Sequence, residues 1–325
     1  MNVEFHYYIT KYIALEAGFA EDEAEIIAYS SQLVDDNYIS YQFQTPSGET
    51  YQNFATQTRD IAQPDTDRMR KYLLFHYLPG DPTDPRVRRK DGKMHLLMTT
   101  PASSFAQDIF FETTKNESLY SLGIASHMIS DTFSHQNFVG MPDEINSLRD
   151  SEGILHAVIG HQHLGDKPDI PNLIWHDPRL IDRYTPVDNL DRLLLAANKL
   201  YTNYVFMTSY PARWSTVKKN ITAMIGPKIN ETQKSPTNAP QSRVTKYQEL
   251  LSGFGGAADY NMNKWLQQAV KEDINSINDP AQILTLNPDY EKTDWFRFQE
   301  AVKMYLHISE SKLEPLFSQV DIPNW

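Results

Sequence analysis

Two imidazoles and a carboxylate recur at four-residue intervals in the stretch Leu122-Gly123-Ile124-Ala125-Ser126-His127-Met128-Ile129-Ser130-Asp131-Thr132-Phe133-Ser134-His135. Residues four apart stand one above another on an α-helix. His127, Asp131 and His135 would therefore form one stripe about 12 Å long at 1.5 Å per residue. That is too long for all three to grip a single ion, and it suits two metal ions close together with Asp131 between them. The bland alternative is a helix with two polar surface histidines and a capping acid. The flanking residues oppose it, because Leu122, Ile124, Ala125, Met128, Ile129 and Phe133 are apolar on most sides of the helix, which is expected to be buried. Buried charge must be paired, hydrogen-bonded or bound to metal.

Other ligand types are scattered ahead of and behind this helix. His76 lies in the apolar run Leu74-Phe75-His76-Tyr77-Leu78-Pro79-Gly80, and His6 lies between Phe5 and Tyr7. Asp35 and Asp36 end an apolar helix, where a carboxylate opposes the helix dipole unless a cation is near. Gly160-His161-Gln162-His163-Leu164-Gly165-Asp166-Lys167-Pro168-Asp169 offers two histidines and two aspartates in irregular chain, compatible with an open metal site. Phe5, Tyr7, Tyr77 and Phe138 are available to wall a cleft. His95, His156 and His307 have no partner spacing. His176-Asp177 resembles the pair of the HD phosphohydrolases, but Pro178 follows at once and removes the helical context. Only His307 among the histidines lies beyond residue 177, so the first half carries the candidate chemistry.

Composition narrows the class. A chain of 325 residues, 40% hydrophobic and 22% charged, can bury a core and does not read as disordered. With no cysteine it has neither disulfides nor thiolate ligands, so any metal rests on His, Asp, Glu or backbone groups. A net charge of −12 disfavours a nucleic-acid partner. The basic run Arg86-Arg88-Arg89-Lys90 reads as a solvated loop where an anionic substrate could first be attracted. Glu4 and His6 stand where a secretory signal would need a basic start and an apolar run. No stretch is long and apolar enough for a membrane span. A cytoplasmic location is the default expectation.

The elements that must position these residues are mostly helical. Residues 3–34 predict two helices broken at Gly18, with Glu21, Asp22 and Glu23 opening the second. Glu117 to His135 is the clearest helix of the first half, with Asn116 as its N-cap. Helices are expected at 187–209, 243–252, 259–274 and 293–317, with a polar loop from Lys234 to Ser242. Hairpins are expected at 38–52, turning at Pro46-Ser47-Gly48, and at 85–100, turning at Asp91-Gly92. Residues 141–181 read as irregular around a short helix near Ile154 to Gly160. The expected organisation is a metal-binding helical core over 1–181 with hairpin insertions. Supporting helices over 182–325 are expected to pack on the same core, giving one continuous domain.

In order along the chain, His6, Asp36, Phe75-His76-Tyr77-Leu78-Pro79-Gly80, the Gly123-x3-His127-x3-Asp131-x3-His135 helix and a later His and acid resemble the zinc-dependent phospholipase C and P1/S1 nuclease superfamily. The set is most similar to a bacterial DUF6765-type family carrying Ser-Gln-x-Val-Asp-Asp, Phe-His-x-x-Pro-Gly, a His-x3-Asp-x3-His-Gln helix and a Gly-His…Pro-Asp segment, and the likeness covers roughly residues 3–175. The resemblance implies an all-α, phospholipase C/P1 nuclease-like bundle with two or three zinc ions in a cleft. It implies that His76, His127 and Asp36 bind one ion, with Asp131 bridging to another. His135, His161 and an acid would hold a further ion; Asp169 is the acid taken, with Asp166 and Asp177 left open. His6 and the N-terminal backbone would complete a third site with Asp131. The activity implied is phosphoester hydrolysis by metal-activated water, of the phospholipase C or phosphodiesterase kind, with Asp131 or Asp169 orienting the water and a phosphoester, phospholipid included, as substrate. The alternatives are a non-catalytic metal-binding or scaffold protein and, behind it, a nuclease.

Overall fold

The computed structural model describes residues 1–58, 69–149, 151–211, 213–232, 240–255, 259–277, 279 and 281–320, with backbone only at 69 and 240–242. The chain opens in a π-helical turn, Glu4–Ile9, which runs directly into α1 (Thr10–Glu16). Such turns are rare and frequent at functional sites, and this one carries His6. After Gly18, whose φ of +94° closes the first helix, α2 (Glu21–Asp36) begins with three acids in its first turn, and Glu23 accepts the Ala20 N–H at 2.9 Å.

Helix α3 (Met69–His76) ends in His76, and α4 (Ser104–Thr114) leads to the central α5 (Leu119–Ser134). Every residue of α5 from Tyr120 to Ser134 is buried. It is surrounded by α2, α3 and α4 and, from the second half, by α6 (Asn189–Thr208) and α10 (Asp294–Phe317). Its N-cap is Ser118, whose Oγ accepts from Ser121, and not Asn116. Asn116 sits two residues earlier and accepts from the Ser118 N–H at 3.2 Å. Helices α7 (Trp214–Ile225), α8 (Pro240–Ser252) and α9 (Lys264–Ala269) complete the helical set among the described residues.

Three small sheets edge the helices. β1 (Gln42–Gln44) pairs antiparallel with β2 (Thr50–Gln52), as the turn at Pro46-Ser47-Gly48 predicts, and parallel with β8 (Ile283–Thr285). Phe43 faces inward against Trp295 of α10, which ties this sheet to the core. β3 (Pro142–Asp143) pairs with β4 (Val158–Ile159). β5 (Leu173–Trp175) lies between β6 (Val187–Asp188) and β7 (Ile229–Asn230).

The fold is mainly α, and several local expectations are corrected. Residues 85–100 form no hairpin. Arg89 is pulled inward, where it binds Asp91 and the Ile145 carbonyl, and its backbone bridges Leu180. The basic run is therefore only partly a solvated loop. Residues 154–160 form no helix; Asn146 Nδ2 donates to the Val158 carbonyl and holds that stretch as β4 against β3. Within 259–274 only Lys264–Ala269 is α-helical. Helix α7 falls on a stretch for which no helix is expected from sequence. Most of the loop expected at 234–242 lies outside the described residues, and its last residues belong to α8.

Candidate metal centre

The C-terminal ends of α2, α3 and α5 meet at one point. The contact between α2 and α5 is set by Gly123. A Cβ there would lie 2.4 Å from the Ile27 carbonyl oxygen and 2.4 Å from Ser30 Cβ. Only glycine lets the two helices come this close, and the approach sets the Ser31 carbonyl 2.8 Å from His127 Nδ1.

That contact belongs to a pattern. His127 Nδ1 donates to the Ser31 carbonyl, His76 Nε2 to the Thr56 carbonyl at 3.1 Å, His135 Nδ1 to the His76 carbonyl at 2.7 Å, and His161 Nδ1 to the Gly165 carbonyl at 2.7 Å. A carbonyl oxygen only accepts, so in each ring the nitrogen facing it carries the hydrogen. In the neutral ring the other nitrogen is a lone pair. The free nitrogens of His76 and His127 turn towards Asp35 and Asp131, and those of His135 and His161 towards Asp169, as in metal sites where the outer N–H of a ligand histidine is tied down.

The result is strongly one-sided. His127 Nε2 and His76 Nδ1 face each other at 3.1 Å, and both face Asp131 Oδ2, at 3.2 and 3.4 Å. Asp35 Oδ1 lies 3.5 Å from His76 Nδ1 and 3.8 Å from His127 Nε2. His6 stacks on His127 with ring centroids 3.9 Å apart and reaches Asp131 Oδ1 at 3.1 Å. On the far side His135 Nε2 and His161 Nε2 lie 3.5 and 3.3 Å from the two oxygens of Asp169. The Met1 amine bonds Asp131 and lies 3.3 Å from Asp169. Asp131 Oδ2, His135 Nε2 and Asp169 Oδ1 are buried without a hydrogen-bond partner. Orphaned acceptors facing one another repel until a cation enters, so the donor set fits bound metal ions.

Protonation follows the same fields. Burial first, then the neighbouring His6, pushes His127 well below its ordinary range, and burial lowers His6 to about 4. Burial alone would raise Asp131, but His135, the Met1 ammonium, His127 and His6 overturn this and hold it well below the carboxylate range. Asp35 goes the other way, raised by burial and by repulsion from Asp131. Burial lowers His135, whereas Asp169 overcomes burial and raises His161.

Among the described residues three groups could hold a metal ion: His6, His127 and Asp131; Asp35, His76 and His127; His135, His161 and Asp169. The first two share His127, which has one free nitrogen because Nδ1 is spent on Ser31. They are two descriptions of one neighbourhood, with the third group as a separate one.

The structure thus gathers His6, His76, His127, Asp131, His135, His161 and Asp169. Asp36 is elsewhere: its carboxylate takes the Tyr260 hydroxyl at 2.7 Å and Gln32 at 3.0 Å, and Asp35 faces the centre instead. One step along a helix is a 100° turn, and a pair of adjacent acids at a helix end does not say which one points inward. Of the acids left open for the last group, Asp169 is the one that converges. Asp177 is paired with Arg179, Nη2 to Oδ2 at 2.7 Å. Tyr77 stacks flat on His135, 4.4 Å between centroids, and Phe138 meets His161 edge-on. Phe5 meets His6 edge-on, whereas Tyr7 turns away to donate to Glu25.

A family model described as a family of unknown function, DUF6765, matches residues 1–313. The chain belongs to this family. No curated protein and no solved structure matches the chain. The family match runs through the helices of the second half as well as the first half that carries the candidate centre. One of those helices braces the centre directly. Arg243 of α8 binds Glu4 of the π-helical turn through Nε at 2.7 Å and Nη2 at 2.9 Å, and Tyr247 adds its hydroxyl at 3.1 Å. Glu4 stands two residues before His6, so this buried pair fixes the turn that presents the imidazole.

Proposed function

We propose that the protein is a zinc-dependent phosphoester hydrolase of the phospholipase C or phosphodiesterase kind, related to the superfamily its motif order resembles. The observation that carries this reading is the set of four imidazoles whose outer N–H groups are tied to main-chain carbonyls while their free nitrogens converge on three carboxylates. A cysteine-free His/Asp set suits zinc. Asp35, His76 and His127 would hold one ion, and His135, His161 and Asp169 a second. Asp131, with His-facing oxygens on both sides, would bridge between them. Such ions, when bound, lower the pKa of water towards neutrality and neutralise phosphoryl oxygens.

The chain's own residues supply the rest. Asp35, Asp169 and His161, at 24%, 17% and 17% side-chain exposure, form the open side by which a phosphoester would approach. Asp169 remains a carboxylate there because the Met1 ammonium and His161 outweigh burial, so it is able to accept a hydrogen bond from water. Asp131 is closed in by imidazoles and is a bridging ligand in this reading. A nuclease role is disfavoured by the net charge of −12.

A second reading, a non-catalytic metal-binding protein, is favoured by the inner group. His6, His127 and Asp131 are at most 1% exposed, and a closed ligand set is the mark of a structural site. Elemental analysis of purified protein separates the readings when paired with hydrolysis of a chromogenic phosphodiester and of phosphatidylcholine, with and without chelator. Zinc-dependent turnover supports the hydrolase. Stoichiometric zinc without turnover of either substrate leaves the structural site. Chelator-sensitive cleavage of single-stranded nucleic acid selects the nuclease.

A further inference from the structure

The basic run ends at a cavity. Arg89 and Lys90 line a space of about 410 Å³ together with Arg149 and Arg179. Among the described residues Asp91 is the one acid in its wall. Four cations thus gather at one place in a chain of net charge −12. The cavity is separate from the candidate metal centre, whose ligands take no part in its wall.

Backbone pairing builds this wall. The Lys90 N–H donates to the Arg179 carbonyl at 2.9 Å and the Ile181 N–H to the Arg88 carbonyl at 3.2 Å, so Arg89 and Arg179 run side by side. Both guanidiniums donate through Nη1 to the Ile145 carbonyl, at 2.9 and 3.4 Å. Both side chains are buried and anchored to protein acceptors through every nitrogen. Two like charges fixed on one oxygen repel each other. Their counter-charges are placed unequally. Asp91, which binds Arg89, lies in the wall, whereas Asp177, which binds Arg179, does not line the cavity. Lys90 pairs at 2.9 Å with Asp182, which is also off the wall and 91% exposed, a contact that water screens. Arg149 donates through Nη1 to the Gly153 carbonyl at 2.6 Å and makes no ion pair among the described residues. The field inside is therefore positive, and Lys90 and Arg149 have N–H groups left over for a ligand.

We propose that this cavity binds a small phosphate monoester. Lys90 and Arg149 would donate to the dianionic phosphoryl group, Arg89 and Arg179 would supply the fixed field, and Leu148, Leu155 and Pro178 would receive the organic part. The space is larger than a bare phosphate needs and lies within the range of small-ligand pockets. The site goes beyond the hydrolase reading and does not rest on it, because it requires no metal.

The test is calorimetric titration of the full chain with phenylphosphonate, at a pH where it is a dianion, with and without chelator. This probe has no ester to cleave. The double variant Lys90→Gln/Arg149→Gln is expected to bind it about 100-fold more weakly, about 10-fold for each hydrogen bond to a charged group. Its melting temperature should not change, since both side chains are exposed. Lys292→Gln/Lys303→Gln removes the same charge outside the cavity and should bind as the wild type does. Equal affinity in wild type and Lys90→Gln/Arg149→Gln overturns the site, and so does equal weakening in the two double variants. Wild-type protein that takes no phenylphosphonate also overturns it. Binding that chelator abolishes puts the anion at the histidine–aspartate centre and overturns it as well. The hydrolase reading is judged by zinc-dependent turnover and fails or stands apart from all of these results.

Discussion

Asp131 and Asp177 are equally buried, at 1% exposure each, and they solve burial in opposite ways. Asp177 receives Arg179 Nε at 2.9 Å and Nη2 at 2.7 Å, the Arg179 backbone N–H at 3.0 Å and Asn137 at 3.2 Å. The same guanidinium donates to the Asn146 carbonyl and lies over the Phe138 ring, 4.1 Å from its centroid. Donors and acceptors match, and the region is complete as it stands. Around Asp131, Oδ1 meets the Met1 ammonium and His6, whereas Oδ2 faces His76 and His127, whose hydrogens are committed outward, with further carboxylates beyond. Two buried aspartates of the same exposure thus divide into a structural pair and an open demand for positive charge. Burial alone does not tell them apart; the direction of the surrounding hydrogens does.

Substitution breaks that contrast most forcefully. Asp177→Asn strands Arg179 without a counter-charge and should cost about 3–5 kcal/mol in urea unfolding, with zinc content unchanged. Asp131→Ala should lower zinc affinity at least about 100-fold, more than loss of an outer-shell partner does. Zinc content together with unfolding curves of both variants decides the matter. Equal zinc loss in the two would erase the distinction.

The site was more legible in the sequence than the fold around it. His127, Asp131 and His135 could be placed on one stripe because helical spacing is rigid, and the apolar flanks announced burial. Asp35 was missed in favour of Asp36 because the helix end gives no cue to rotation. The tying carbonyls of Ser31, Thr56, His76 and Gly165 belong to the backbone and leave no trace in residue type. In place of the hairpin expected at 85–100, Arg89 turns inward and donates to the Ile145 carbonyl, far along the chain. Long-range pairing of that kind is invisible to local pattern.

Acid should also act differently on the two regions. His6 sits at about 4 in the fold and near 6.5 when unfolded. The unfolded chain therefore binds its proton first. Stability from the neutral ring is full above about 6.5 and is lost as pH falls to about 4, worth about 3 kcal/mol from this residue in metal-free protein. His127 acts in the same direction. His161, raised in the fold, opposes them as pH falls. Asp177, lowered by Arg179 against burial, weakens the fold only at still lower pH. Urea unfolding across this range should show a slope that His6→Gln flattens. An unchanged slope would mean that the imidazole is not held neutral.

Gly123→Ala tests the geometry behind the demand for cations. The new Cβ meets backbone oxygen, which cannot swing aside, so α2 and α5 must separate. Overpacking of this sort costs about 1–3 kcal/mol. Moving Ser31 from His127 should lower zinc affinity about 10–100-fold, measured by competition with a chromogenic chelator. Stability lost with affinity retained would detach the helix contact from the site.

Asp35→Asn should give the smallest effect and the most telling sign. Asp35 is raised in the fold by burial and by Asp131, so its charged form opposes folding at neutral pH. Its favourable contribution exists at low pH and disappears as pH rises through the raised value. Removing the charge should therefore stabilise metal-free protein at neutral pH by about 1 kcal/mol. In zinc-loaded protein the sign should reverse, since the same carboxylate becomes a counter-charge. Thermal melting with chelator and with zinc reads both signs in one experiment. Destabilisation in both conditions would make Asp35 a structural acid of the Asp177 kind, whereas opposite signs require that a cation complete the centre.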